Sequence, residues 1–445
     1  MTAAIDLPDA LAAAPRLSVD AEDVVAGRLP IVQAEAAVRL GPVMRIDIPF
    51  GPDAGPCIHL VAPELAEDAL LTRRESFSSE GGWAPLLGSG FGYAVLNVDE
   101  PLHAEHRRMI VPAFAGPALQ RCLPGVLAVV DAELDRWADA GTLDLFPAMR
   151  RLTFRAVACG AGGMSADEAD RAFAAVSVVL DGYDFMREGR EAFLARANVA
   201  RSAFLDVLAD IVARRRAGEG RGDGTMADLV VAALPPDGGP RDPAVPFLAI
   251  LLIAGHDTGM VMYSRALHHL GTHSALGVRL LRELADAGAT ADRPLSPEAL
   301  DRLPFLDRYM LEIGRVFPPI VNIPRTAGDD VDIGGFRVGR GTRIAVAVGG
   351  VHRRADLHRD PHRFDPDRYA DPAGARLARP FRNLTFSGGA RHCLGARLAQ
   401  IEFKSIVSRA LLRFRIEPID AVPVAHGGFW VGRPSRPMVV SLRTR

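Results

Sequence analysis

A single cysteine lies in a glycine-rich loop near the C-terminal end of the chain, at residues 386–395 (FSGGARHCLG). Glycines at positions 388, 389 and 395 allow the backbone to turn tightly around Cys393. The stretch that follows, LGARLAQIEFKSIVSRALLRF, has the apolar spacing of a helix that begins just after the cysteine. Free amide groups and the positive end of the helix dipole would then face the sulfur, which favours the thiolate form.

A thiolate at this position could act as a nucleophile, a redox sensor or a metal ligand. Nucleophilic catalysis needs a base that is oriented by a third group, and the sequence gives no way to place such a base beside Cys393. A tetrahedral zinc site needs further ligands, whereas Cys57, Cys122 and Cys159 are far apart and form no CxxC pair. One axial thiolate is enough for haem iron, because the porphyrin supplies the equatorial ligands. Metal ligation is therefore the favoured role.

A second group of polar residues interrupts the apolar stretch LLIAGHDTGM, where Gly255 and Gly259 flank Asp257 and Thr258. Each glycine costs a helix about 1 kcal/mol relative to alanine, so a compensating role is expected. Thr258 can donate a hydrogen bond to the carbonyl of Ala254, and the missing side chain of Gly255 leaves room for a flat or small ligand. One interpretation is a polar kink satisfied by water or a neighbouring helix; the other is a carboxylate and a hydroxyl that relay protons.

A charged pair lies on the predicted short helix LPFLDRYMLEIGRVFPP, where Glu312 and Arg315 share one face and Pro318 and Pro319 end the helix. An exposed pair of this kind contributes less than about 1 kcal/mol, which is the ordinary surface interpretation. The apolar surroundings favour a buried structural pair, which must be paired or hydrogen-bonded. Arg368, in FDPDRY, offers a second cation.

The elements that position these residues are predicted to be mainly helical. Between residues 117 and 217, apolar residues recur three and four positions apart. Asp242 and Pro243 can cap a long core helix that runs to about Gly271. The segments VMRIDIP, PCIHLVA, GFRVGR and TRIAVAV predict small sheets near both ends. We therefore expect a mainly α fold with minor β, arranged as a single domain over residues 1–445.

Composition argues against several functional classes. The 445 residues carry a formal net charge of -2 at pH 7 and the arginines are scattered, so nucleic-acid binding is not expected. The N-terminal stretch lacks a basic start followed by an apolar run, which argues against a signal peptide. The apolar run at residues 244–255 is well short of the roughly 20 residues that span a membrane. We expect a cytoplasmic protein without a membrane anchor.

Together, these motifs resemble those of the cytochrome P-450 superfamily of haem-thiolate monooxygenases. The cysteine loop matches the FxxGxRxCxG signature, Glu312 and Arg315 match the ExxR pair, and AGHDT matches the AGx(D/E)T motif. The three motifs occur in the family's order and usual spacing, and the resemblance covers roughly residues 99–418. It implies the cytochrome P-450-type fold of a soluble bacterial-type member, with haem between the long central helix and the cysteine-bearing helix.

The resemblance also implies roles for individual residues. Cys393 would be the axial ligand of the iron of haem b, and Asp257 and Thr258 would be the catalytic pair that supplies protons. The other implied cofactor-binding residues are His103, Arg107, Ala254, Gly255, Arg325, Phe386, Arg391 and Gly395, among which His103, Arg107, Arg325 and Arg391 would contact the haem propionates.

Some positions complete the family's pattern and others depart from it. Arg368 would join Glu312 and Arg315 in the family's structural triad. Leu102 stands where many bacterial relatives carry glutamate, at a position outside the chemistry. Gly259 stands where relatives often have threonine or a small residue, which predicts a less stiff helix at that point.

The implied reaction is the insertion of one oxygen atom from O2 into a C–H bond or alkene of a lipophilic small molecule. Electrons would come from an external ferredoxin or flavodoxin and its reductase, for which Arg382, Arg397 and Lys404 could form a docking surface. Apolar residues at 83–93, 179–185, 321–323 and 428–430 would line a pocket suited to a fatty acid, terpenoid, steroid or polyketide.

Other activities are open at this point. One alternative is a peroxide-driven peroxygenase or a haem-thiolate isomerase, and another, from a different class, is a non-catalytic haem-binding sensor. The presence of both Asp257 and Thr258 argues against these alternatives, because none of them needs to protonate bound dioxygen.

Overall fold

Helices form most of the chain, and short strands lie near both of its ends. The computed structural model describes residues 14–48, 55–87, 89–180, 190–219, 224–237, 239, 241–420 and 422–445. The α-helices, numbered α1 to α17 in chain order, are Ala21–Val25, Leu29–Leu40, Pro63–Glu67, Ser79–Leu87, Leu102–Ile110, Gly116–Ala140, Leu145–Arg155, Ala166–Leu180, Arg190–Arg216, Met226–Ala233, Ala244–Thr272, Ser274–Asp286, Pro297–Leu300, Pro304–Val316, Val348–Val351, Pro372–Ala375 and Ala396–Arg413. Single turns of 3₁₀ or π helix cover Asp68–Thr72, Arg74–Ser76, Ser89–Phe91, Val111–Phe114, Ala156–Ala161, Pro366–Tyr369, Arg376–Ala378 and Gly389–Arg391.

The strands join distant parts of the chain. Strands β1 to β13 are Arg16–Leu17, Val43–Ile48, Gly55–Leu60, Phe77–Ser78, Thr142–Asp144, Ile323–Ala327, Val331–Ile333, Phe336–Val338, Arg343–Val346, Phe414–Pro418, His426–Gly427, Arg433–Pro434 and Val439–Thr444. The largest sheet has the order β1-β2-β3-β9-β6-β4, a second has the order β10-β13-β5, and β7-β8 and β11-β12 are two-stranded.

The mainly α fold with minor β is confirmed, and one detail of the sheets differs from the prediction. All four predicted segments contain a strand. Instead of separate sheets at the two ends, β3 pairs in parallel with β9, so that Ile58 lies opposite Ile344. Pairing across such a distance follows from tertiary packing, which local alternation of apolar residues does not encode.

The long central helix α11 (Ala244–Thr272) is confirmed close to its predicted bounds. The Asp242 carboxylate accepts a hydrogen bond from the amide of Ala244 at 2.9 Å and so caps the helix, as expected. Most residues of α11 are buried, because α7, α9 and α17 pack around it. This helix is therefore the core element against which the rest of the fold is arranged.

A buried hydrogen-bond group fixes α11 against the cysteine-bearing helix α17 (Ala396–Arg413). The Tyr263 hydroxyl donates to the Ala399 carbonyl at 3.0 Å and lies 3.1 Å from a carboxyl oxygen of Glu402. Burial raises the pKa of Glu402 to about 8, so this carboxyl is largely protonated at neutral pH and can donate to the tyrosine oxygen. The two motif-bearing helices are thus held together without a buried charge.

The buried charged pair on α14 (Pro304–Val316) is confirmed as a structural group. Glu312 and Arg315 are fully buried and make two hydrogen bonds of 2.8 Å. Arg368 adds a third contact to Glu312 at 3.0 Å. The remaining donors of Arg315 reach backbone carbonyls, including that of His352 at 2.9 Å. Each buried charge is therefore compensated, as burial requires.

Membrane-spanning character was assessed for the described helices by length and composition. Ala244–Thr272 passes this test, and so does the bent pair Leu102–Phe114 with Gly116–Ala140. In the most apolar window of Ala244–Thr272, 72% is buried inside the protein. Core helices pass the same test, so these helices are weak evidence for a membrane span.

Candidate functional site

The cysteine loop is a tight turn that presents Cys393 at an exposed position. The Cys393 amide donates to the Phe386 carbonyl at 2.9 Å and closes the loop. Gly389 has a φ of +65° in this turn, and a Cβ there would lie 2.3 Å from the Leu70 carbonyl oxygen. Only glycine meets both conditions, which explains its place in the motif.

The electrostatics of the sulfur differ from the sequence prediction. Although Cys393 is exposed, the surrounding protein partly desolvates the thiol and raises its pKa. The Gly395 amide and the Arg107 guanidinium act in the opposite direction. The expected stabilising groups are therefore present, but without a metal they do not outweigh desolvation. A coordinated metal ion would deprotonate the thiol outright.

Two guanidinium groups lie close together at this loop, that of the buried Arg325 and that of the partly buried Arg391. Arg325 is buried, and its only described hydrogen bond is to the Pro324 carbonyl at 2.7 Å. Burial and the neighbouring Arg391 lower the pKa of Arg325 to about 9. Arg391 donates to the Val98 carbonyl at 2.6 Å, and Asp99 is 3.9 Å away. Such a cluster of cations suits a ligand with carboxylate groups.

The predicted propionate-binding residues of α5 (Leu102–Ile110) lie on the same side. Buried His103 has its Nδ1 2.9 Å from the Glu100 carboxylate. Burial and Arg391 lower the pKa of His103, and Glu100 partly offsets them. Arg107 donates to the His392 carbonyl at 2.8 Å, so it contacts the cysteine loop directly. His392, for which the sequence suggests no role, thereby supports Arg107 through its backbone.

The middle of α11 exposes one face although it lies in the core. Its accessible or partly accessible residues are Leu251, Ala254, Gly255 and Thr258, at the spacing of a single helix face. The residues between them, such as Ile253 and His256, are buried. A core helix with an accessible stripe borders a cavity rather than packed side chains.

The acid–alcohol pair adopts part of the predicted geometry. The Thr258 hydroxyl donates to the Ala254 carbonyl at 2.8 Å, as expected. A Cβ at Gly255 would lie 3.1 Å from the Val157 side chain, so the absence of a side chain there allows close packing of α11 against the turn Ala156–Ala161. Gly259 is buried against the ring of Tyr263, so it does not widen a pocket.

A functional contact that sequence reasoning missed involves Asp257. Arg433, in strand β12, places Nη2 2.8 Å from both carboxylate oxygens of this buried residue. Burial alone would raise the pKa of Asp257, but Arg433, His256 and Arg150 lower it below the usual value. The two partners are 176 residues apart, and no local pattern around Arg433 indicates the pairing.

The two predicted pocket segments at 321–323 and 428–430 contact each other. The Val321 amide donates to the Trp430 carbonyl at 2.8 Å, and the Asn322 side chain donates to the Phe429 carbonyl at 2.6 Å. Helix α4 approaches this wall closely, because a Cβ at Gly82 would lie 2.5 Å from the Pro324 carbonyl oxygen. Predicted lining residues 88 and 181–185 lie outside the described residues.

The predicted docking cations are largely engaged in ion pairs. Lys404 is buried between Asp301 at 2.8 Å and Asp307 at 2.5 Å, so it is not available to a partner and that prediction is wrong. The sequence places it on the helix face that packs into the core, where its charge is compensated internally. Arg397 pairs with Asp301 near the surface, and Arg382 is exposed.

These residues fit a haem group better than a metal held by protein ligands alone. Among the described residues, no three His, Cys, Asp or Glu side chains come together as a metal-binding group. A Cβ at Gly395 would meet no atom within 4 Å, which leaves space for a flat group beside the cysteine. Arg325 and Arg391 supply cations for two carboxylates.

Comparisons with known proteins identify the family. The family model for cytochrome P450 matches residues 244–440. Putative cytochrome P450 135B1 of Mycobacterium tuberculosis is 30% identical over 354 residues, which cover 75% of this chain and 70% of that protein. The chain belongs to the cytochrome P450 family. Pentalenene oxygenase of Streptomyces avermitilis is 27% identical over 397 residues, covering 85% of this chain and 86% of that protein.

Solved structures agree with the fold of this cytochrome P450. The structure of cyanobacterial CYP120A1 with retinoic acid bound matches with a TM-score of 0.78 at 22% identity. The match covers 92% of this chain and 93% of that one. At this identity the likeness concerns the fold alone. Family membership makes the protein an oxidoreductase of the haem-containing monooxygenase type.

Proposed function

We propose that this cytochrome P450 binds haem b through Cys393 and inserts one oxygen atom from O2 into a C–H bond or alkene of a lipophilic small molecule. The proposal rests mainly on the accessible stripe of α11. Ala254 is exposed and Thr258 is partly exposed there, although the helix lies in the core of the protein. The exposed thiol of Cys393 lies three residues before α17, the helix that Tyr263 joins to α11. A flat cofactor ligated by this thiolate would lie beside the accessible face of α11.

The proposed cofactor contacts come from three parts of the chain. Cys393 would ligate the iron, with Phe386 and Gly395 beside it, and Ala254 and Gly255 would face the opposite side. His103, Arg107, Arg325 and Arg391 would surround the propionates, and the low pKa of Arg325 supports this because an anion would relieve its desolvation. When bound, thiolate-ligated haem supplies O–O bond cleavage.

The catalytic role of the protein's side chains, as distinct from the cofactor, would be proton delivery. Asp257 holds a buried carboxylate at Arg433, and the neighbouring Thr258 holds its proton on the Ala254 carbonyl. Rotation of the Thr258 hydroxyl away from that carbonyl would direct the proton toward the cavity. The Asp257 carboxylate would then take up a proton from the protein interior and pass it to Thr258, which returns both groups to their starting states. Both residues would be catalytic in this scheme.

The proposed substrates are lipophilic. In the proposed wall, Val321 and Phe429 are buried and back the partly exposed Trp430, and the polar groups are used in backbone and Asn322 hydrogen bonds. Relatives support this class by name, since they include pentalenene oxygenase and a sterol 14alpha-demethylase of Mycolicibacterium vanbaalenii. A fatty acid, terpenoid, steroid or polyketide is accordingly proposed.

The proposed electron source is an external ferredoxin or flavodoxin with its reductase. Arg107 joins the cysteine loop at the protein surface, and Arg382 is exposed on the approach to it, so an acidic partner would find complementary charge there. We propose a cytoplasmic location, where such carriers act.

Isotope labelling distinguishes this reaction from its alternatives. The haem-loaded protein would be supplied with a surrogate ferredoxin, its reductase and ¹⁸O₂, and tested against fatty acids, terpenoids, steroids and polyketides. We expect one ¹⁸O atom per product molecule. Product only with hydrogen peroxide would indicate a peroxygenase, rearrangement without oxygen uptake an isomerase, and haem binding without any product a sensor. Each of these results would replace the proposed reaction.

A further inference from the structure

A charge-assisted contact joins Asp257, the acid of α11, to the C-terminal hairpin formed by β11 and β12. Arg433 Nη2 lies 2.8 Å from each carboxylate oxygen of Asp257, and Nη1 donates to the Gly432 carbonyl at 3.1 Å. The Arg433 side chain is 23% exposed and that of Asp257 is 8% exposed. A charge-assisted contact that is this well shielded from solvent is much stronger than a surface ion pair.

The hairpin that carries Arg433 is itself anchored to the core. From α11, Arg265 donates to the Val424 carbonyl at 2.7 Å and also to the Ala425 carbonyl. On the other side, His426 Nε2 lies 2.9 Å from the Pro318 carbonyl and the Gly432 amide donates to the Pro319 carbonyl at 2.8 Å. The base of the hairpin therefore has little freedom to move away from α11.

Two arginine contacts connect the hairpin to α11 in opposite directions. Arg265 reaches from the helix to the start of the hairpin, whereas Arg433 reaches from its end to the helix. Asp257 and Arg265 are eight residues apart, which is about 12 Å along a helix. Between these anchors Phe429 is buried against His59, and only Trp430 of the proposed substrate wall is partly exposed. One anchored unit thus carries both Trp430 and the partner of the acid.

We propose that Arg433 is a positioning residue for proton delivery, which holds the Asp257 carboxylate in place and ties it to the hairpin that forms the substrate wall. This inference rests on the proposed function, because it assigns Asp257 the role of proton donor. Arg433 would act on the reaction through the position and ionisation of Asp257.

The charged surroundings of Asp257 define what loss of Arg433 would do. The groups that face it are His256 on the same helix, Arg150 from α7 and Arg433 from the hairpin. His256 is buried and its pKa is lowered to about 4 by desolvation, so it is neutral at neutral pH. Without Arg433, burial would be opposed chiefly by Arg150, and Asp257 would take up a proton at a higher pH.

The test measures oxygen consumption by the haem-loaded protein with a surrogate ferredoxin and reductase, with dissolved oxygen as the only probe. In Arg433→Gln, the pH profile of the oxygen-consumption rate should shift to alkaline values by about one unit, which is a tenfold change in the protonated fraction of Asp257 at a given pH. The ratio of the rates in H2O and D2O should also rise. Arg433→Lys should restore the wild-type profile to within about twofold, because an ammonium group close to Asp257 again favours the ionised carboxylate. The matched control is Arg436→Gln, which removes a nearby arginine bound to Asp420 and the Val422 carbonyl.

A double-mutant cycle and a spectrum separate the possible outcomes. In an Asp257→Asn background, Arg433→Gln should cause no further shift if it acts through the carboxylate. An unchanged profile in Arg433→Gln, or equal effects of Arg433→Gln and Arg436→Gln, would overturn this inference while the thiolate-type carbon monoxide spectrum remains intact. Absence of that spectrum from the wild-type protein would instead overturn the proposed function. Should Arg433→Gln fail to fold, the profile of Arg433→Lys decides, because a loss of protonation control despite the retained charge contradicts the inference.

Discussion

At the scale of single residues, each group proposed to react in the candidate site is held or stabilised by a different group that does not react. Cys393 is accessible and is flanked by the Gly395 amide and Arg107, both of which favour the thiolate. Thr258 and Asp257 lie on α11, where the hydroxyl is bonded to its own helix and the carboxylate to Arg433. Each reactive atom is therefore held by a partner that must be displaced or compensated before it reacts.

Removal of the Thr258 hydroxyl should uncouple oxygen consumption from product formation. Thr258→Ala removes the group that would donate a proton in the cavity, so we expect hydrogen peroxide to accumulate and product per oxygen consumed to fall by at least about tenfold. Thr258→Ser keeps a hydroxyl and is the matched control. Peroxide and product are quantified in the same reaction, and equal coupling in the alanine and wild-type proteins would remove the proton-delivery role.

At the scale of elements, the site depends on how α11, α14 and α17 are fixed to one another. Tyr263 joins α11 to α17, and the Tyr309 hydroxyl of α14 donates to the Ala266 carbonyl of α11 at 2.8 Å. Glu312 and Arg315, also on α14, tie this helix to the segment that follows β9. The charged motif of α14 thus supports the site from a distance without entering it.

Neutralising the buried carboxylate of α14 should destabilise the protein strongly. Glu312→Gln leaves Arg315 and Arg368 buried without their counter-charge, so we expect the free energy of unfolding to fall by about 3–5 kcal/mol. The control is Asp332→Asn, because Asp332 pairs with Arg337 on the surface at 3.3 Å with both side chains more than half exposed.

Denaturant unfolding of the two variants gives the comparison directly. The surface variant should lose less than about 1 kcal/mol. If Glu312→Gln proved as stable as Asp332→Asn, the buried triad would not contribute the architectural stability assigned to it.

At the scale of the whole molecule, burial keeps several histidine side chains neutral at pH values where they would be protonated in the unfolded chain. Burial lowers the pKa of His59, His269 and His358 to about 3 and that of His256 to about 4. In the unfolded chain these side chains would titrate near 6.5. Below that pH the unfolded state binds more protons than the folded state, so stability is complete above about pH 6.5 and is lost as the pH falls.

Replacement of one buried histidine should make the protein more resistant to acid. His269 stacks on His273 at 4.0 Å and on Phe364 at 3.9 Å between ring centroids, so a phenyl ring suits its site. In His269→Phe, the slope of stability against pH between about 6.5 and 4 should decrease by about 1.4 kcal/mol per pH unit. Exposed His362→Phe is the control. Unfolding followed by circular dichroism at several pH values measures the slope, and identical slopes would contradict this assignment.

Most of the motifs could be predicted from local sequence patterns, whereas contacts between distant parts of the chain could not. The cysteine loop, the bounds of α11 and the Glu312–Arg315 pair could be predicted because turn glycines, helix caps and apolar spacing act over a few residues. The place of Arg368 beside Glu312 was implied only by the family resemblance. The contact of Arg433 with Asp257 and the pairing of β3 with β9 join residues far apart in the chain, which no local pattern specifies. The burial of Lys404 was missed because a lysine is rarely buried unless it is paired, and its partners lie on other elements.

The central claim is that the Cys393 thiolate ligates haem iron, and the reduced carbon monoxide difference spectrum tests it most directly. The wild-type protein should give the Soret band typical of a thiolate ligand, and Cys393→Ala should lose that band. Cys159→Ala, which alters a partly buried cysteine outside the loop, should keep it. A thiolate-type band that persists unchanged in Cys393→Ala would contradict the assignment of the axial ligand.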